Sequence, residues 1–496
     1  MMTVTIPARG IPHDRLLEEM AGFRANDADW KNGRVFSLVY YGGDAHHAFL
    51  EKAHNLYFAE NALNPMAFAS LRRMEAEVVR MTASMLNGGP DSVGTMTSGG
   101  TESVLLAVKT ARDRARALHK RNGKPNLVVP ETIHVAFDKA ASYFGLEIRY
   151  ARVRGDMRAD VRDLASLVDG HTVLIAASAP QYPHGVIDPI EEIARVARRR
   201  EIPFHVDACV GGFVLPWLEK LGEPLPLWDF RVPGVTSISA DVHKYGLAPK
   251  GASTITYRDM SYLRHQFFVS TDWPGGIYAS PTMPGTRPGS AIAAAWAAMK
   301  ALGEDGYMHH AGEAMKTARQ LEQGLSALDG IAIIAHPDAP IVAYRTTEQS
   351  GLDVFALADQ LEDRGWMVDR MQSPNCIHLT VTSNHARIVD EYLEDVRAST
   401  VWLREHPEVA SRGNAAMYGM MAKVPFRGMV KQSVLEIMEK MYGPHAAEPG
   451  FDAMGEDGDG AVMRFVKEYG GRATALLDRA EKIRERVPFL AKKRRR

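Results

Sequence analysis

The sequence predicts an α/β protein: a mostly parallel sheet covered by helices, followed by a smaller α+β domain. Three observations predict it. Strand-like and helix-like segments alternate between residues 126 and 257, the pattern of crossover units in a parallel sheet. Past Gly306 the alternation gives way to a long helical stretch and short, scattered strands. The chain has 496 residues, 46% hydrophobic and 24% charged, enough for a large buried core in two or three domains.

The elements follow in order. His47, Phe49, Leu50, Ala53, Leu56 and Tyr57 recur at helical spacing and predict a helix over 44–62. Phe68, Leu71, Met74, Val78, Met81 and Met85 predict a second over 65–87. Asn64-Pro65 breaks the chain between them, and proline suits a first helical turn. Residues 126–129, 146–150, 172–177, 203–206, 235–239 and 253–257 read as strands. Residues 134–144, 161–168 and 189–199 read as the intervening helices, and 104–120 as an earlier one. The Ala-rich window 291–302 is interrupted by Lys300 and too short to span a bilayer, so it reads as a buried helix. A helix over 309–328 precedes strands near 331–334, 341–344 and 377–381, with helices near 352–364 and 385–404. The tail past 427 reads as helical, with a Gly/Asp-rich loop at 455–460.

Charge is balanced, 59 basic against 60 acidic residues. No global field favours nucleic acid or an anionic membrane. Cys209 and Cys376 offer neither a disulfide framework nor a metal-ligand spacing, which suits a reducing, cytoplasmic setting and no metal. The first residues lack a basic stretch followed by an apolar core, so no signal peptide is expected. The basic end, Lys492 to Arg496, reads as a solvated terminus.

The most informative run is Ser239-Ala240-Asp241-Val242-His243-Lys244-Tyr245-Gly246-Leu247-Ala248-Pro249-Lys250-Gly251. A lysine held in a restricted polar turn after a strand can lose its proton and form a Schiff base with a carbonyl. That is how pyridoxal 5′-phosphate is anchored. Three further pieces such a cofactor needs have candidates. Asp207 ends the strand-like Phe204-His205-Val206-Asp207 and could keep a pyridine nitrogen protonated. Ala208 and Gly211-Gly212 are small enough for a flat ring to approach. Thr97-Ser98-Gly99-Gly100-Thr101-Glu102-Ser103 precedes a helix, where backbone N–H groups and hydroxyls bind phosphate. His134 opens a helix after a strand and could stack on the ring. Alone, each is more often a cap, a turn or a structural histidine. In the order Gly-Gly-Thr, His, Asp, Lys they reinforce one another.

At these residues the chain resembles the fold-type I pyridoxal phosphate enzymes of the group II decarboxylase superfamily. Longer segments narrow the likeness to the sphingosine-1-phosphate lyases. These are Asn87-Gly88-Gly89-Pro90-Asp91-Ser92, Pro183-His184-Gly185-Val186-Ile187-Asp188-Pro189, His205-Val206-Asp207-Ala208-Cys209-Val210-Gly211-Gly212-Phe213, Gln266-Phe267-Phe268-Val269-Ser270-Thr271-Asp272-Trp273 and Gly275-Gly276-Ile277-Tyr278-Ala279-Ser280-Pro281-Thr282. The resemblance implies pyridoxal 5′-phosphate as cofactor, a homodimer with shared sites, and a phosphorylated long-chain base cleaved to a fatty aldehyde and phosphoethanolamine. It implies an N-terminal segment (1–63) serving dimer and active site, a large cofactor-binding domain (64–308) and a small C-terminal domain with a helical tail (309–496).

Carried over residue by residue, the likeness makes Lys244 the Schiff-base lysine, His134 the stacking histidine and Asp207 the ring-nitrogen partner. Gly99, Gly100, Thr101, Ala208 and His243 fall at cofactor contacts, and Thr286 where a partner subunit reaches the cofactor phosphate. Tyr40 and Lys250 fall at substrate-phosphate positions, and Tyr182 near the cofactor. Freed Lys244, Tyr182 and a phosphate group all stand as candidates for the base that takes the substrate's hydroxyl proton. Two departures stand out. Asn64 replaces a histidine expected near the substrate phosphate, and an amide cannot carry that charge. The membrane anchor of eukaryotic relatives has no counterpart in this reading, so a soluble form is expected. Two rivals share the motifs: an amino-acid decarboxylase, which would need a carboxylate pocket, and a non-catalytic scaffold.

Overall fold

The computed structural model describes residues 5–118, 123–411 and 427–446. Residues 28–407 form one compact unit; the described residues on either side of it form a second. In that second unit helix α1 (His13–Phe23) buries none of its residues.

The larger unit begins with two helices, α2 (Asp44–Leu56) and α3 (Ala69–Met85), shorter than the sequence periodicity suggests. A seven-stranded sheet follows: β1 (Val93–Thr97), β2 (Asn126–Pro130), β3 (Glu147–Ala151), β4 (Thr172–Ser178), β5 (Phe204–Asp207), β6 (Val235–Ala240) and β7 (Ser253–Tyr257). Their spatial order is β1-β7-β6-β5-β4-β2-β3. The pairs β2–β3, β2–β4, β4–β5 and β5–β6 are parallel. Helices α4 (Gly100–Ala117), α5 (Ala136–Phe144), α6 (Val161–Leu167) and α7 (Ile190–Arg199) carry the chain between successive strands. In α7 the buried residues Ile190, Ile193, Ala194 and Ala197 repeat at helical spacing and make one apolar stripe. Strands β2, β4, β5 and β6 are buried along their whole length, as a sheet covered on both faces requires.

Strand β7 runs antiparallel to both β6 and β1. The connection between Ala240 and Ser253 contains no helix that could return the chain to the far edge, so the following strand reverses direction. Strand β1 was not legible in the sequence because Gly94 interrupts it. A Cβ at Gly94 would lie 2.2 Å from the Ile255 carbonyl oxygen, so only glycine fits that ladder.

Helix α8 (Leu215–Lys220) lies between β5 and β6; after β7 come α9 (Met260–Leu263) and the hairpin β8 (Phe268–Ser270) with β9 (Tyr278–Ser280). Windows 291–302 and 309–328, read as separate helices, are one long element, α10 (Gly289–Ser326), kinked at Gly303 with φ 59°. A second, fully antiparallel sheet contains β10 (Ile331–Ile333), β11 (Ile341–Thr346), β12 (Asp369–Met371) and β13 (Cys376–Thr380) in the order β10-β11-β13-β12. Helices α11 (Val354–Glu362) and α12 (Val389–Glu405) belong with it. The N-terminal segment joins this sheet: Phe36 N–H donates to the Met367 carbonyl at 3.1 Å, and Thr380 N–H to the Phe36 carbonyl at 2.8 Å. Residues 427–446 include α13 (Arg427–Met441), as the sequence suggests. The end of the helix read over 104–120, the loop at 455–460 and the basic terminus lie outside the described residues. Among the described residues no helix is long and apolar enough to cross a membrane.

Burial holds the imidazoles of His184, His205, His243, His310 and His385 down to about 4. The same groups in the unfolded chain titrate near 6.5 and take up protons first. Stability therefore falls as pH drops from 6.5 towards 4. Buried Asp188, raised to about 6, acts in the opposite sense as a single group. Urea unfolding is expected to show a lower midpoint at pH 5 than at pH 7.5, with a smaller difference in His205→Gln. Equal midpoints would contradict the assignment.

Candidate active site

Strands β1, β2, β4, β5 and β6 all end at the same edge of the large sheet, where open α/β sheets bind ligands. The segments that follow them line a cavity of 420 Å³. Strand β1 supplies Ser98, Gly99, Gly100, Thr101 and Glu102, and β2 supplies His134. From β4 come Ser178, Pro180 and Tyr182, and from β5 Asp207, Cys209 and Val210. Strand β6 delivers Asp241, His243 and Lys244. The lysine, histidine, aspartate and Gly-Gly-Thr turn singled out in the sequence thus share one cavity.

Lys244 does not sit there as the deprotonated amine expected from a tight turn. Burial alone would lower its pKa, but the Asp241 carboxylate lies 3.0 Å from Nζ and drives it above the ordinary lysine value. Asp241 is almost fully buried. Burial alone would raise its pKa, yet Lys244 and His243 hold it below the carboxylate norm. The pair is therefore ionic on both sides. His243 Nδ1 accepts from the Ala252 N–H at 3.2 Å, leaving Nε2 facing Asp241 at 3.6 Å.

Asp207 sits at the end of β5, where Oδ1 accepts from Cys209 N–H at 3.0 Å and from the Ser239 hydroxyl at 3.3 Å. Beneath it His205 meets Ser237 and Ser239 at 2.9 and 3.2 Å, so the carboxylate stands on a fixed polar column. At the start of α4 no side chain caps the first N–H groups. Glu102 folds back instead, accepting from Ser98 N–H and its hydroxyl, both at 2.7 Å. The helix start is left open towards the cavity, a seat for a phosphate. A Cβ at Gly100 would meet Asp241 Oδ2 and Cys209 Sγ at 2.8 Å, so glycine is required for this close approach. His134 precedes α5; its Nδ1 accepts from Ala136 N–H at 3.2 Å and its ring stays exposed on the cavity wall. A cavity of this size with an uncapped helix start, a carboxylate and a lysine fits a phosphorylated pyridine aldehyde.

Tyr40 and Lys250 come together in a neighbouring cavity of 780 Å³, with Lys250 Nζ 5.2 Å from the centre of the Tyr40 ring. His243 lines both cavities. Lys250 keeps contact with solvent, yet loss of hydration and then the Lys244 charge bring its pKa down to about 8. Tyr182 donates its hydroxyl proton to Asp369 Oδ2 at 2.7 Å. Burial first, then the Asp369 charge, raise the phenol far above its usual range, so it keeps its proton at neutral pH.

Five residues singled out in the sequence line neither cavity in their own chain. Ala208 packs into the main core rather than on the cavity wall. Gly211 and Gly212 likewise serve backbone packing, since a Cβ would meet the Ala179 carbonyl oxygen at 2.0 Å and the Ala240 Cβ at 2.5 Å. Asn64 and Thr286 are both exposed. They belong to adjoining strips, joined by an Asn61–Pro288 bridge and by Ala62 N–H donating to the Arg287 carbonyl at 2.9 Å. Asn64 Oδ1 accepts from Met66 N–H at 2.9 Å and shapes a turn.

Sequence reasoning passed over Asp241 and Asp369. Asp241 carried a usable signal, one helical turn before Lys244 in the quoted run. Asp369 carried none, because β12 belongs to a different sheet and meets Tyr182 only through the tertiary fold.

A family model described as the pyridoxal-dependent decarboxylase conserved domain matches residues 30–347. The chain is 42% identical to sphingosine-1-phosphate lyase 1 of Rattus norvegicus, over 90% of this chain and 78% of that protein. It is 41% identical to the sphingosine-1-phosphate lyase of Oryza sativa subsp. japonica, over 88% and 81%. Among solved structures, a sphingosine-1-phosphate lyase of Burkholderia pseudomallei superposes with a TM-score of 0.78 at 36% identity, covering 82% of this chain and 94% of that one. A glutamate decarboxylase of Lactobacillus brevis, 22% identical with a TM-score of 0.71 over 82% of this chain and 96% of that one, shares the fold. The chain belongs to the pyridoxal-dependent decarboxylase family and, within it, to the sphingosine-1-phosphate lyases.

Proposed function

We propose that this chain is a pyridoxal 5′-phosphate-dependent carbon–carbon lyase. It cleaves sphingosine 1-phosphate or its dihydro form to a long-chain aldehyde and phosphoethanolamine. The observation that carries the reading is the pair of adjoining cavities. One holds Lys244, whose amine would bind the cofactor's aldehyde; the other holds Lys250 and Tyr40, a cationic seat for a phosphate. A substrate with an amine and a phosphate on neighbouring carbons matches that spacing of functions. An amino-acid decarboxylase would have no use for the second seat.

When bound, the cofactor supplies an aldehyde that captures the substrate amine and a protonated ring that accepts the electron pair released from the C2–C3 bond. Lys244 would bind it covalently, and the α4 start with Thr101 would take its phosphate. His134 would pack on the ring, and Asp207 would hold the ring nitrogen's proton. His243, neutral at pH 7, separates the two phosphate seats without adding charge. Lys250 orients the substrate through its phosphate, with Tyr40 shaping the seat.

The enzyme works as a homodimer in which the strip bearing Asn64 and Thr286 reaches the partner's cavity. Support comes from the exposure of both residues on adjoining segments, outside the lining of their own Lys244 cavity.

Mass spectrometry of products from sphingosine 1-phosphate is expected to show a long-chain aldehyde and phosphoethanolamine, and neither with Lys244→Ala, which also loses the cofactor's visible band. Release of CO₂ instead would favour a decarboxylase. Lys250→Ala is expected to raise KM by about tenfold or more, the worth of a charge-assisted contact, while leaving cofactor absorbance intact. In the unaltered enzyme kcat/KM should fall as pH rises through about 8, where the Lys250 ammonium is lost; Lys250→Arg should move that limb upward. A limb that stays in place removes Lys250 from the site. Mixing inactive Lys244→Ala chains with inactive Thr286→Glu chains should restore turnover through hybrid dimers, and no recovery would refute shared sites.

A further inference from the structure

Tyr182 stands on the wall of the Lys244 cavity. It is gripped from one side by the second sheet. Its hydroxyl donates to Asp369 on β12 at 2.7 Å. Its ring packs against His378 on β13, 4.3 Å between centres. His378 Nδ1 meets the carbonyl of the next residue, Pro183, at 3.1 Å. Asp369 and His378 face each other in the β12–β13 register, and Ser37 donates its hydroxyl to the other Asp369 oxygen at 3.4 Å.

We propose that Asp369 is a positioning residue for Tyr182. By accepting the phenolic proton it fixes the rotation of that hydroxyl and leaves the oxygen able only to accept from a group in the cavity. A phenol with its proton so engaged receives a hydrogen bond from a substrate hydroxyl or ammonium and orients it; it does not serve as a phenolate base. This rests on the lyase reading for its substrate, but the contact itself concerns residues of this chain alone. Fixed orientation of a reacting group acts on kcat more than on KM.

The test uses Asp369→Ala, Asp369→Asn, Tyr182→Phe and the double variant Asp369→Ala/Tyr182→Phe. With sphingosine 1-phosphate, Asp369→Ala and Tyr182→Phe should each lower kcat about tenfold or more, with KM moving much less and the cofactor band unchanged. The double variant should lose no more than either single, because both remove one interaction. Asp369→Asn should stay close to the unaltered enzyme, since an amide oxygen also accepts. In the cofactor-free protein labelled with ¹³Cζ-tyrosine, the resonance absent from Tyr182→Phe should move in Asp369→Ala and hold in Asp369→Asn. If the alanine chain does not fold, Asp369→Ser, too short to reach, gives the same comparison. Additive losses, an alanine variant with full kcat, or an unmoved resonance would overturn the proposal. Failure of the unaltered enzyme to cleave sphingosine 1-phosphate would overturn the lyase reading, and the resonance would still decide the Asp369–Tyr182 contact.

Discussion

An ammonium and a carboxylate 3.0 Å apart, Lys244 against a nearly water-free Asp241, govern the architecture around the cavity. Removing either charge from water is costly, and a buried pair holds only where its geometry and further donors compensate. Here the compensation is local. His243 presents Nε2 to the same carboxylate. The positive end of α4 approaches so closely that Gly100 has no space for a Cβ. One Asp241 oxygen has no hydrogen-bond partner among the described residues, so the pocket retains unused accepting capacity. The turn that brings Asp241, His243 and Lys244 together is the same turn that makes β7 run antiparallel. The position of the lysine and the break in an otherwise parallel sheet are one feature of the chain.

The second constraint is the clamp between the two sheets. Tyr245, next to the lysine, donates its hydroxyl to the Val381 carbonyl at 2.7 Å and approaches that of Pro340 at 3.1 Å. Tyr182 and Pro183 are held by Asp369 and His378. Tyr40 arrives on the segment that pairs with Met367 and Thr380, and its ring lies edge-on to Tyr245 at 5.0 Å. The cavity walls are thus braced by a sheet whose strands supply none of the residues lining them. Buried tyrosines suit this task, combining large apolar contact with one directed hydrogen bond.

The two cavities divide the electrostatic work. Around Lys244, charges are paired and the imidazole is kept neutral by burial. Around Lys250, a partly hydrated cation lies 5.2 Å from the centre of the Tyr40 ring, a modest interaction that leaves the ammonium largely uncompensated.

What the sequence determined by itself was the alternation of buried strands and amphipathic helices, and the identity of the residues at the strand ends. Both are local: side-chain periodicity fixes the elements, and loops after parallel strands must emerge at one edge. Lys244, Asp207, His134 and the Gly-Gly-Thr turn were legible for that reason. Tertiary structure alone decided that Lys244 is charged, since its pKa depends on the depth of Asp241. It also decided that Asp369 reaches Tyr182 across 187 residues, and that Asn64 and Thr286 are exposed and outside the lining of their own cavity. It placed Ala208 and the Gly211-Gly212 pair in backbone packing rather than at a ring face. Those outcomes depend on distances between segments far apart in the chain, and neither spacing nor composition encodes such distances.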